Sequence, residues 1–235
     1  MSYIKKYLGL CVLVCAIAVL GALLLSRTGT AIVAMVSAPK EAPTVVIDAG
    51  HGGIDGGAIS VTGVSESNIN LEISLRLNDF LHFLGVQTKM IRTEDISIHT
   101  EGTTIAQKKV SDIHNRVAMV EETPNAVLVS IHQNQFSEPQ YRGAQVFYAE
   151  GSQALAEAMQ AVLAAQVDPK NHRECKPAKD IYLMKHISCP AVLIECGFLS
   201  NPAEEALLRD ASYQKKLAAA IACQLANYLE DANEV

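Results

Sequence analysis

The chain has 235 residues, 49% of them hydrophobic, with 19 basic and 25 acidic residues and a formal net charge of −6. That length suits one domain with a sizeable core and is short for two large ones. All 25 acidic residues but only 16 of the basic ones lie beyond residue 38, so the bulk of the chain carries −9, which argues against a nucleic-acid partner. Residues Leu8 to Leu25 run 18 positions without a charge, and as a helix rising about 1.5 Å per residue they nearly span a bilayer core of ~30 Å. Lys5 and Lys6 precede this run and Arg27 follows it, which puts the remainder outside the cytoplasm. Residues 1–27 are therefore expected to be an N-terminal hydrophobic helix, either a membrane anchor or a secretory signal. Val36-Ser37-Ala38 resembles a cleavage site, but Pro39 follows it. Residues 28–42 read as a linker of small residues and proline, and residues 43–235 as the exported domain.

Within that domain the apolar run Thr44–Asp48 predicts a buried strand that breaks into a glycine-rich loop around His51. Ser65 suits the start of a helix over Glu66–Leu84, with Leu71, Leu75, Leu81 and Leu84 spacing its apolar face and Gly85 ending it. A strand is expected at Val86–Arg92, a helix at Thr103–Glu122 and a strand at Ala126–Ile131, reaching His132. Next come a strand at Gly143–Ala149, a helix at Ser152–Gln166, a polar loop at Asp168–Asp180 and a short strand at Ile181–Met184. A buried strand at Ala191–Ile194 reaches Glu195, and helices cover Ala203–Arg209 and Ala211–Glu230. Uniformly apolar strands separated by helices predict an α/β three-layer sandwich, a mostly parallel or mixed sheet with helices on both faces. Cys175, Cys189, Cys196 and Cys223 form no CxxC pair, and a domain of this size folds without disulfides.

His51, His132 and Glu195 each follow an apolar strand, and Glu66 opens the first helix. If the strands run parallel, these residues meet at one edge of the sheet. Taken singly, each has an ordinary explanation: a solvated turn histidine, a core histidine bonded to backbone, an ion pair at a strand end. Together, two imidazoles and a carboxylate suit a catalytic zinc with one open position, and a second carboxylate suits a general base. Asp48, Asp55 and Asn134 are placed to orient such ligands. Turn capping explains Asp55 equally well. His82, His99, His114 and His186 lack a strand-end position.

The blocks Val46-Ile47-Asp48-Ala49-Gly50-His51-Gly52-Gly53, Ser130-Ile131-His132-Gln133-Asn134 and Leu193-Ile194-Glu195-Cys196-Gly197-Phe198-Leu199-Ser200-Asn201, with Asp55 and Glu66, resemble the zinc-dependent N-acetylmuramoyl-L-alanine amidases of the type 3 family. Phe136 to Tyr148 and Asp168 to Arg173 are similar to the germination-specific members of spore formers, while Gln135 stands where relatives usually carry a small residue. The resemblance implies Zn2+ held by His51, Glu66 and His132, with Glu195 as the catalytic carboxylate. The implied substrate is peptidoglycan, its glycan strands and stem peptides, with stem peptides removed from spore cortex ahead of muramic-δ-lactam formation. It also implies a possible activating lipoprotein partner. His172 and Arg173, in the basic loop, are candidates to grip a substrate carboxylate, Arg being suited to bidentate contact, and Asn134 is a further candidate substrate contact. A non-catalytic wall-binding module of the same fold, or a zinc peptidase or deacetylase acting on the wall, are the competing readings.

Overall fold

A computed structural model describes residues 42–233. The anchor or signal over residues 1–27 and nearly all of the linker over 28–42 lie outside these residues.

Six strands form one sheet in the order β2-β1-β3-β6-β4-β5. They are β1 (Thr44–Ala49), β2 (Gln87–Met90), β3 (Ala126–Asn134), β4 (Gln145–Tyr148), β5 (Lys176–Pro177) and β6 (Ala191–Phe198). The pairs β2/β1, β1/β3 and β3/β6 are parallel, β4 runs antiparallel to β6, and β5 is parallel to β4. The interior strands β1, β3 and β6 are buried along nearly their whole length, as expected for strands covered on both faces.

The helices are α1 (Glu66–Phe83), α2 (Ile105–Glu121), α3 (Gln153–Val162), α4 (Tyr182–Lys185), α5 (Pro202–Leu208) and α6 (Ala211–Asn233). Side chains alternate across the sheet. Val45, Ile47, Val127, Val129 and Ile194 point to one core with α1, α3 and α6, whereas Val46, Leu128 and Leu193 point to a second core with Val120, Leu183 and Met184 from the α2 and α4 side. The three layers expected from the alternation of elements are therefore present.

Several local expectations are corrected. The buried stripe of α1 is Ile69, Ile73, Leu77 and Leu81 rather than Leu71, Leu75, Leu81 and Leu84; Leu75 and Leu84 are exposed. Both stripes have helical spacing, but only the isoleucine stripe also turns Glu66 and Asn70 inward. Ser65 occupies the N-cap with an extended backbone, yet its side chain caps nothing, and Ser67 N–H donates instead to Gly56 C=O. Helix α2 is closed by a full capping box between Thr104 and Gln107. The α3 helix runs on into a π turn, Leu163–Val167, whose wider winding keeps both Leu163 and Val167 buried. The strand expected at Ile181–Met184 is the short helix α4: Leu183 and Met184 are adjacent and both buried in one core, which the alternation of a strand forbids. The edge position beside β4 belongs to Lys176–Pro177.

Candidate metal centre

β1, β3 and β6 are parallel neighbours in a single run, so their carboxyl ends share one edge. His51 follows β1, His132 lies in β3, and Glu195 in β6 pairs directly with His132 across the ladder. Both strands continue past these residues, so His132 and Glu195 are held inside regular structure and not at frayed ends. A register shift between His132 and Asn134 marks where the ladder loosens beyond the site. Glu66 enters from the first turn of α1.

His51, Glu66 and His132 offer ligand atoms that all lie within 4.8 Å of one another. His51 Nε2 is 3.3 Å from Glu66 Oε2, and His132 Nδ1 is 3.1 Å from Glu66 Oε1. The Glu66 carboxylate also accepts from the N–H groups of Ala58 (2.9 Å) and Gln133 (3.1 Å) and from Asn70 Nδ2 (3.2 Å). Burial alone would raise its pKa, but His132 and His51 outweigh that and hold the carboxyl well below the ordinary range. For His51 burial works in the opposite direction, and hydrogen bonds to Asp55 and Glu66 overcome it and push the imidazole up to about 9. The same two carboxylates that hold a proton on this imidazole would attract a metal cation, which has to displace that proton to bind the ring nitrogen. Asp55 Oδ2 lies 3.0 Å from His51 Nδ1. Since a carboxylate only accepts, both ring nitrogens of His51 carry hydrogen in the metal-free site, Nδ1 toward Asp55 and Nε2 toward Glu66, and a bound metal would take the place of the Nε2 hydrogen while Asp55 keeps the one on Nδ1.

Two glycines make this approach possible. A Cβ at Gly50 would lie 2.2 Å from His132 Nε2, and one at Gly57 would lie 2.5 Å from Glu66 Oε2. His51 itself has φ 61°, the left-handed region that non-glycine residues seldom adopt. Two buried arginines hold this strained turn by its carbonyl oxygens. Arg92 donates to Ala49, Gly50 and Ser67, and Arg116 donates to Ala49 and His51 while pairing with Asp48 and Asp112. Ser130 Oγ donates to Asp48 at 2.6 Å. The ion pair to Arg116 and the Ser130 bond hold the Asp48 carboxyl below the usual range, against the burial that would raise it.

Glu195 differs from the other carboxylates. Its Oε2 is buried and has no hydrogen-bond partner among the described residues. Burial, reinforced by the Glu66 charge, pushes its pKa up to about 7, against the pull of His132 and His51. It lines a cleft of about 270 Å³ with Asp48, His51, Lys109, Tyr182 and His132.

The structure thus brings together His51, Glu66, His132 and Glu195. Asn134, His172 and Arg173 are not among the residues lining that cleft. Asn134 ends β3 and accepts from Leu199 N–H through its carbonyl. His172 is exposed. Arg173 lies on the β4 side, where it donates to Arg142 C=O at 2.7 Å and to Gln145 Oε1 at 3.0 Å, with its guanidinium 4.5 Å from the Phe198 ring centre. Gln145 in turn pairs with Glu195. The sequence reading had no role for Arg92, Arg116, Asn70, Gln133 or Lys109. Only the Asp112/Arg116 pair at i,i+4 spacing left a trace in the sequence.

A parallel-edge constellation of two imidazoles and an ionised carboxylate, with a second carboxyl poised beside them, defines a metal-dependent hydrolase site. The chain belongs to the N-acetylmuramoyl-L-alanine amidase family (Amidase_3), whose description matches residues 45–227. It is 35% identical over 190 residues to the germination-specific N-acetylmuramoyl-L-alanine amidase of Bacillus subtilis, covering 79% of each chain. Among solved structures it is similar to the CwlD amidase of Clostridioides difficile in complex with the GerS lipoprotein, at 41% identity and TM-score 0.77, over 80% of this chain and 99% of that one. It is similar also to an N-acetylmuramoyl-L-alanine amidase of Clostridium difficile 630, at 31% identity and TM-score 0.71, over 80% and 97%. The protein is an enzyme of this class, hydrolysing the amide between N-acetylmuramic acid and L-alanine in peptidoglycan.

Proposed function

We propose that the metal is Zn2+, that His51, Glu66 and His132 hold it, and that Glu195 is the general base. The observation that carries this reading is the division of labour among the carboxylates. Glu66 is charged and fully occupied between two imidazoles, while Glu195 stands beside them with an uncommitted buried oxygen. Two neutral imidazoles and one carboxylate fit the borderline-soft zinc ion, and harder cations prefer all-oxygen sites. When bound, the metal supplies a Lewis acid that polarises the amide carbonyl and lowers the pKa of water. Glu195 Oε2 accepts the proton of the attacking water and returns it to the departing alanine nitrogen. Glu66 keeps its negative charge throughout, and Asp55 keeps His51 in one tautomer.

The germination-specific relative and the CwlD structure support spore cortex as the substrate, with stem peptides removed before muramic-δ-lactam forms. The GerS complex of the latter supports an activating lipoprotein partner for this chain as well. Action on peptidoglycan supports a location outside the cytoplasm, and on this reading residues 1–27 anchor the domain in the membrane or direct its secretion at the forespore cortex side. Among the described residues no helix is long and apolar enough to cross a membrane. Asn134, His172 and Arg173 are the proposed substrate contacts beyond the metal site. Mass spectrometry of cortex peptidoglycan digested by the zinc-loaded protein tests the assignment. Free amino-terminal alanine and bare muramic acid are expected, whereas released acetate would mean a deacetylase, and an unchanged polymer a binding module.

A further inference from the structure

Helix α2 contributes none of the proposed metal ligands, yet it holds His51 directly at one point and through Asp55 at a second. Arg116 Nη2 donates to the His51 carbonyl at 2.6 Å. Seven residues earlier, about two turns along the same helix face, Lys109 Nζ lies 2.7 Å from Asp55 Oδ1. The other oxygen of that carboxylate, Oδ2, takes His51 Nδ1 at 3.0 Å. Gly57 N–H adds a weaker bond to Oδ1 at 3.3 Å. Both Asp55 oxygens are thus committed, one to the ligand and one chiefly to the helix. Asp55 lies on the glycine-rich loop between Gly53 and Gly57, where reciprocal backbone hydrogen bonds with Gly52 fix its main chain, so what Lys109 adds is the direction of the carboxylate itself. Lys109 also lines the cleft, so its ammonium stands beside the reacting centre and not on a remote face.

We propose that Lys109 is a positioning residue for the metal centre, acting through Asp55 to fix the His51 ring. Helix α2 then sets how tightly the site holds its metal. The competing interpretation is an ordinary half-exposed ion pair, with Lys109 49% exposed, which contributes little. The proposal rests on the reading of His51 as a ligand but needs no turnover to be tested. Zinc affinity of the full chain is measured by competition with a chromophoric chelator, and Co2+ loading reports the ligand field, for wild type, Lys109→Met, Lys109→Arg, Asp55→Asn and the Lys109→Met/Asp55→Asn double variant. Melting of each metal-free protein is followed in parallel. Asp55→Asn is expected to weaken zinc by about 10–100-fold, the usual effect of losing a carboxylate behind a ligating histidine. Lys109→Met should weaken it several-fold and alter the Co2+ spectrum. Lys109→Arg should restore both, and the double variant should bind no more weakly than Asp55→Asn alone, because Lys109 acts only through that carboxylate. Wild-type zinc affinity in Lys109→Met overturns the proposal, as does full additivity in the double variant, and so does a loss of affinity matched by an equal loss of metal-free stability. If the metal behaviour is as expected but cortex is not cleaved, the cortex substrate proposed above fails and the positioning role stands.

Discussion

At the scale of single residues, the four site side chains divide on the proposed reading into three metal holders and one base, and substitution separates them. His132 is one of three proposed protein bonds to zinc, so His132→Ala should lose metal and activity together. Glu195 holds no other group, and Glu195→Gln keeps the shape of the carboxyl but cannot accept a proton. It should retain zinc and lose on the order of 10²–10⁴-fold in rate, the usual size of a general acid–base contribution. Metal content by elemental analysis beside release of amino-terminal alanine decides this; a metal-free Glu195→Gln would make Glu195 a ligand. Arg173 needs a different test because it is bonded into the fold. Two hydrogen bonds to neutral oxygens and a cation–π contact with buried Phe198 predict that Arg173→Ala costs about 1–3 kcal/mol. If its melting point is unchanged and only turnover of peptidoglycan falls, Arg173 serves recognition alone.

At the scale of elements, the loop from Ile59 to Ser65 decides where α1 starts and therefore where Glu66 points. Glu205 on α5 fastens it: Oε1 accepts from Thr62 Oγ1 at 2.5 Å and Ser60 Oγ at 3.0 Å, with Arg209 Nη1 at 3.4 Å. Burial opposes the charge, but the Thr62 and Ser60 bonds and the Arg209 charge prevail, and the carboxyl is held below its ordinary value. A depressed carboxyl stabilises the fold above the ordinary glutamate value of about 4.3 and loses that contribution as pH falls through its own lower value. The gap in melting temperature between wild type and Glu205→Ala should therefore be widest near neutrality and narrow in acid. An equal gap at pH 7 and pH 3 would mean that Glu205 acts through packing and not charge.

Elements are also where the sequence was most and least legible. The strands bearing His51, His132 and Glu195 were readable because both sheet faces are buried, so β-branched runs stand out, and parallel pairing then carries their ends to one edge. The apolar face of α1 was not, because Leu71/Leu75 and Ile69/Ile73/Leu77 are both spaced for a helix and only tertiary contact chooses. The segment Ile181–Met184 reads as a strand by composition, and Leu183 beside Met184 in one core shows why it is a helical turn. The arginine clamps on the 49–51 carbonyls were invisible for a further reason. Their partners are backbone atoms, which leave no mark on side-chain patterns, and Arg92 lies about forty residues away in sequence.

At the scale of the molecule, the domain from Ala42 onward contains both cores and every proposed site residue. Its first strand is not an edge: β1 lies between β2 and β3, and Thr44 N–H donates to Asn125 C=O at 3.1 Å, so the ladder is complete from its first residue. Cys175, Cys189, Cys196 and Cys223 are all free thiols. A domain of nearly two hundred residues buries enough surface to stand on packing without cross-links. Residues 42–235 produced alone should accordingly be soluble, melt in one cooperative transition and bind zinc with the affinity of the full chain. The transition should be the same with and without a thiol reductant, since no disulfide constrains the unfolded chain. Calorimetry of this fragment in both conditions, with chelator competition for zinc, provides the check. An aggregated or non-cooperative fragment would place part of the stabilising core in residues 1–41, and a transition lowered by reductant would show that a cysteine pair bridges in solution.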